Sequence, residues 1–106
     1  MQTNRRERMR EALREVAAEF LAREAGRKSL ITVTRAELSE DGKRGTIYIT
    51  VFPDNAEEGA VDFANRNRSE FGDFFKKRVK GALVPHIEFV IDRGEKNRQR
   101  LDELSQ

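Results

Sequence analysis

The spacing of apolar residues along this chain switches from helical to alternating and back twice, and that succession constrains the fold more than any other property. Between Asn4 and about Ala25, Met9, Leu13, Val16, Ala17, Phe20 and Leu21 recur at intervals of three and four, which predicts an amphipathic helix. Asn4 followed by Glu7 forms a capping pair at its start, and Gly26 provides a left-handed stop. The next stretch, LITVTRAEL, is β-branched and alternates, with Ile31 and Val33 on one face. Ala36 and Leu38 have changed phase, which predicts a bulge near Arg35. GTIYITVF alternates without interruption, placing Ile47, Ile49 and Val51 on one face and Tyr48, Thr50 and Phe52 on the other. SEDGKRG between the two runs reads as a hairpin connection.

After Pro53 the period is helical again, with Asp54 or Asn55 as cap and Ala60, Val61, Phe63 and Ala64 as the apolar stripe. Phe71, Phe74, Phe75, Val79, Ala82 and Leu83 carry the stripe onward, interrupted by Gly72. Glycine inside a helix costs about 1 kcal/mol relative to alanine, which predicts two helices meeting at a bend near Gly72. Pro85 opens a last strand, PHIEFVI, in which Ile87, Phe89 and Ile91 alternate. Asp92 and Glu95 cap a short closing helix over 92–106 that carries Leu101 and Leu104. The two adjacent strands pair as a hairpin, and a right-handed helical crossover places the third parallel to the second. The expected class is α+β, a three-stranded mixed sheet covered by helices on one face.

At 106 residues the chain has the size of one domain, expected to span 1–106. Charged residues make up 38%, yet Leu, Ile, Val and Phe supply about a quarter of the chain, above the roughly 20% below which chains stay disordered. The absence of cysteine excludes a disulfide framework, thiolate metal sites and thiol catalysis. A single histidine, His86 beside Pro85, excludes the common zinc sites and reads as a surface or edge residue. Four serines and one histidine carry no triad signature, no phosphate-loop pattern is present, and Glu57 with Glu58 is a typical helix start. No enzyme and no cofactor are expected. No apolar run approaches 18 residues and the N-terminal MQTNRRERMRE lacks the core of a signal peptide, so the expectation is a soluble, cytoplasmic protein.

The net charge of +2 conceals an uneven distribution. In the first helix Glu7, Glu11, Glu15 and Glu19 run beside Arg6, Arg10 and Arg14, so that pairs such as Glu7 with Arg10 or Glu19 with Arg23 satisfy one another. Residues 64–80 lack that balance: Arg66, Arg68, Lys76, Lys77, Arg78 and Lys80 face only Glu70 and Asp73. Such a sector suits a polyanion, and contacts to phosphates position a protein without reading sequence. Phe71, Phe74 and Phe75 have core spacing and are not stacking platforms, and Tyr48 is assigned a packing role on its sheet face.

The order of elements is that of the prokaryotic, or type II, KH domain, and the residues make a more specific match. ITVTRAELSEDGKRGTIYITVF resembles the strand-pair segment of the ribosome-binding factor A family, through Thr34, Ala36, Leu38, Ser39 and Asp41, then Ile47, Tyr48 and Ile49. PHIEFVIDRGEKNRQRLDEL is similar to that family's last strand and closing helix, through Pro85, Ile87, Phe89, Asp92, Arg100, Leu101 and Leu104. The resemblance covers essentially the whole chain. It implies a KH-like assembly factor, monomeric and without catalysis, that docks on the small ribosomal subunit and its rRNA during late maturation, with no membrane and no small-molecule substrate. It also implies an interhelical kink, usually A-x-G, at Glu70, Phe71 and Gly72, where Glu70 replaces the alanine. Gly42-Lys43-Arg44-Gly45 is a literal GxxG, but it joins two strands, whereas the KH clamp joins two helices. Lys43 and Arg44, with Arg5 and Arg6, are therefore secondary candidates for RNA contact. The alternatives are a KH-type RNA binder acting away from the ribosome and a protein-interaction module.

Overall fold

The computed structural model describes residues 4–24 and 29–105, so Gly26 lies outside the described residues. Helix α1 (Arg5–Glu24) buries Leu13, Val16, Ala17, Phe20 and Leu21, the face its spacing predicts. Its start is capped as expected, the Glu7 amide donating to Asn4 Oδ1 at 2.7 Å.

Strands β1 (Leu30–Leu38) and β2 (Arg44–Phe52) are antiparallel, and β3 (His86–Ile91) runs parallel to β2, in the order β1-β2-β3. The predicted bulge falls between Val33, opposite Ile49, and Arg35, opposite Tyr48, so Thr34 is the extra residue. It returns Ala36 and Leu38 to the inner face, across from Ile47 and Gly45. Gly45 is small because a Cβ there would stand 3.0 Å from Ile87 Cδ1 and 3.4 Å from Leu13 Cδ1. On the outer face the Arg35 guanidinium lies 3.8 Å from the centroid of the Tyr48 ring, which gives Tyr48 its packing role.

The crossover departs from expectation in three places. Neither Asp54 nor Asn55 caps the next helix with its side chain; a 3-10 turn (Asp54–Ala56), closed by the Ala56 amide on the Pro53 carbonyl, leads the chain into α2 (Glu57–Arg66) already coiled. The bend is at Asn67, between α2 and α3 (Arg68–Arg78), and not at Glu70, Phe71 and Gly72, which lie within α3. Asn67 causes it: its Nδ2 donates to the Phe63 carbonyl at 2.8 Å, where its own amide is also bonded, so the α2 ladder closes on this residue while its carbonyl accepts from Phe71 to start α3. Finally, α3 ends at Arg78 instead of running through the stripe to Leu83. Val79 is extended and Gly81 has φ of +80°, a turn that leaves Val79 and Ala82 half-buried and Leu83 90% exposed.

The helices meet the inner sheet face in one core with Phe71 at its centre. Its ring makes edge-on contacts with Phe20 (centroids 5.6 Å apart) and Phe89 (5.8 Å) and a tilted one with Phe75 (6.0 Å). Asn65 joins α2 to the free edge of β3, donating to the Phe89 carbonyl at 3.0 Å and accepting from its amide at 2.9 Å. Helix α4 (Arg93–Ser105) is capped by Asp92, whose Oδ1 accepts from the Glu95 amide at 3.0 Å. Asp92 is 5% exposed, and its Oδ2 accepts from Thr34 Oγ1 at 2.6 Å, with Arg35 Nε 3.5 Å away. Burial works to raise its pKa, but the bonds from Thr34 and the Glu95 amide and the nearby Arg35 prevail, leaving the carboxyl below its usual value. Leu101 and Leu104 remain exposed on α4.

Candidate nucleic-acid interface

The cations predicted from sequence fall into two groups, because α3 is about 16 Å long and carries them at both ends. At one end Arg66 and Arg68 flank the Asn67 bend, both exposed. Arg68 lines a shallow cleft of about 260 Å³ with Ser69 and the start of β3, including His86. The His86 amide donates to the Lys43 carbonyl at 2.8 Å, and Arg44 is the register partner of His86. The hairpin cations therefore lie at the same end of the sheet as His86 and Arg68, a proximity hidden by their separation in sequence.

The hairpin is a firmly built turn. Ser39 Oγ donates to Asp41 Oδ1 at 2.7 Å, the Lys43 amide to the same oxygen at 3.0 Å, and the Arg44 amide to Ser39 Oγ at 3.0 Å. The Ser39 hydroxyl, then the Lys43 amide, hold the Asp41 carboxyl below its usual pKa. Gly42 takes φ of +73°, so the glycine of this GxxG makes a strand turn and not a helix-bounded clamp.

At the other end Lys76, Lys77 and Arg78 occupy the last turn of α3, where cations complement the helix dipole, and Lys80 follows. Arg78 is committed to structure: it donates to Glu19 Oε1 at 2.6 Å across 59 residues and lies 4.6 Å from the Phe74 ring centroid. Glu19 thus pairs with Arg78 and not with Arg23, which also sits over Phe74. Arg6 is committed as well, donating to the Leu38 carbonyl at 2.6 Å and the Glu40 carbonyl at 3.4 Å. Arg66, Arg68, Lys76, Lys77 and Lys80 hold no ion pair among the described residues. Two members of these groups escaped the sequence reading: His86, which needs the β2–β3 register to be placed, and Arg8, which lies one turn beyond Arg5 and joins it and Lys80 in a common cleft. The arrangement leaves exposed positive charge without ion pairs among the described residues at both ends of α3. Among the described residues no cluster of three or more metal-ligating side chains occurs, and no helix is long and apolar enough to cross a membrane.

Comparison with known proteins gives a consistent picture. The family model of ribosome-binding factor A matches residues 5–105. Ribosome-binding factor A of Thermobifida fusca is 33% identical over 107 residues, covering 94% of this chain and 68% of that protein. The relative from Fervidobacterium nodosum is 28% identical over 78 residues, 73% of this chain and 62% of its own length. The chain thus spans about three fifths to two thirds of these two relatives. Among solved structures, the crystal structure of ribosome-binding factor A from Thermus thermophilus superposes with a TM-score of 0.72 at 25% identity, covering 83% of this chain and 97% of that one. A homology model of the Thermus thermophilus factor, fitted into a cryo-EM map of its complex with the 30S subunit, gives 0.69 at 27% identity, covering 79% and 91%. With its mixed sheet, its bent helix pair and a sequence match running almost from end to end, this chain belongs to the ribosome-binding factor A family.

Proposed function

We propose that this protein is a cytoplasmic ribosome-binding factor that associates with the small ribosomal subunit and assists its late maturation and the processing of its rRNA. It acts as a single KH-like RNA-binding domain, a monomer that catalyses no reaction. The observation that carries this reading is the set of cations along α2 and α3, Arg66, Arg68, Lys76 and Lys77, which have no acidic partners among the described residues. The fitted Thermus thermophilus relative supports the choice of the small subunit as the polyanion. Folded rRNA presents phosphates in a defined shape, so a protein that contacts phosphates at two ends of a rigid helix can select a site by geometry.

Co-sedimentation with purified small subunits across a salt series tests this. With about four phosphates neutralised, log affinity falls against log salt with a slope near −3 on the single-strand coefficient. Combining Arg66→Glu, Arg68→Glu, Lys76→Glu and Lys77→Glu should abolish binding while the fold, held by Arg78 and the core, is kept. Failure of the wild-type protein to sediment with subunits, or salt-independent binding that survives the four substitutions, overturns the reading.

A further inference from the structure

The first half of α1 and the segment after α3 enclose a cleft of about 600 Å³, within the range of ligand-sized pockets. Arg5, Arg8 and Lys80 line it, no carboxylate does, and none of the three has an ion pair among the described residues. The opposite flank of α1 is different: there Arg10 and Arg14 share their cleft with Glu7 and Glu11, and Arg14 is ion-paired with Glu11. The floor of the basic cleft is aliphatic, made by Met9, Ala12, Val79 and Ala82, all half-buried. At its lip stands Leu83, which the turn at Gly81 leaves 90% exposed.

These linings define the ligand. A nucleobase is held by stacking on aromatic rings and read by hydrogen bonds to its edges. This cleft has no ring, amide, hydroxyl or carboxylate side chain among its linings. A phosphate backbone would pair the cations but leave the aliphatic floor and Leu83 uncovered, whereas carboxylates flanking an aliphatic side chain satisfy both. We propose that the cleft docks an acidic, leucine-bearing segment of a partner protein. Arg5, Arg8 and Lys80 pair its carboxylates, and Met9, Val79 and Leu83 cover its leucine. The site is separate from the phosphate contacts at Arg66, Arg68, Lys76 and Lys77 and does not depend on them.

The test is a titration of the 15N-labelled full chain, followed by backbone amide shifts, with three probes: the peptide EDLEELDE, its twin with serine for each leucine, and an eight-nucleotide poly-U RNA. The expected result is a saturable shift of the amides of Arg8, Met9, Lys80 and Leu83 with the leucine peptide. Affinity should fall about tenfold or more with the serine twin, with Arg8→Glu and with Leu83→Ser, and should be nearly unchanged by Arg66→Gln and Arg68→Gln, which lie at the far end of α3. Both cleft substitutions are at exposed positions, and the amide spectrum itself reports that each variant is folded. Equal binding of the two peptides, shifts spread over cations outside the cleft, insensitivity to Leu83→Ser, or poly-U displacing the peptide from the same amides would each overturn the proposal.

Discussion

Replacing Asp92 by alanine should cost about 2–3 kcal/mol, and the structure supplies each part of that figure. The carboxylate caps α4 through the Glu95 amide at 3.0 Å, a bond whose loss typically costs about 1 kcal/mol. Its second oxygen takes the Thr34 hydroxyl at 2.6 Å, and a hydrogen bond to a charged acceptor contributes roughly 1.5–3 kcal/mol. Arg35 adds little, since it is half-exposed and 3.5 Å away. Two effects reduce the gross loss: the variant no longer buries a carboxylate, and Thr34 Oγ1 keeps the Tyr48 carbonyl at 3.2 Å as an alternative acceptor. In a chain of this length the midpoint of thermal unfolding should fall by about 10 °C at pH 7. The pH dependence has a definite sign. The folded-state pKa of Asp92 lies below its unfolded value, so its stabilisation is present in full above roughly pH 4–5 and is lost as pH falls through the folded-state pKa. The gap between wild type and variant, followed by urea unfolding from pH 7 down to pH 3, should therefore narrow in acid. A variant melting within 2–3 °C of wild type at pH 7, or a gap that widens in acid, would refute this account of the contact.

Two glycines give opposite expectations. Gly72→Ala should stabilise the protein by about 0.5–1 kcal/mol in chemical denaturation, because Gly72 is inside α3 and the new Cβ meets only Val84 Cγ1 at 3.9 Å; destabilisation would mean that the bend is at Gly72 after all. Gly45→Val should destabilise by roughly 1–3 kcal/mol, since its first carbon already presses Ile87 and Leu13. A Gly45→Val midpoint equal to wild type in the same assay would show that Leu13 and Ile87 pack more loosely against β2 than described.

The parts of the fold that depend on period were legible in the sequence. Alternation in β2 and β3 and the phase change in β1 are local patterns, and they led to the strands and to the bulge at Thr34. The bend was misplaced because glycine is a conspicuous helix breaker, whereas the deciding interaction is the Asn67 side chain reaching back to Phe63, which composition does not advertise. The helical period reaches Leu83 and places it on the apolar stripe, yet Gly81 reverses the chain first. For the candidate site the sequence supplied the charges and not their pairings. Arg78 looks like its neighbours until Glu19, 59 residues away, is found against it. The hairpin cations had similarly no visible connection to Arg68 until the β2–β3 register brought His86 between them.

The contact of Asn65 with Phe89 bears on how safely the chain can be made. An outer strand with open amides and carbonyls is a template on which another chain can add itself, and β3 is such a strand, rich in aliphatic and aromatic residues. Asn65 occupies both groups of its central residue with a side-chain amide that imitates a passing backbone. The guard is part of α2, so it arrives only when that helix has settled on the sheet. Until then a nascent copy exposes an adhesive border, and afterwards a fourth strand would first have to evict a helix residue. Protection against self-association is thereby tied to completion of the fold, using one side chain that also anchors α2.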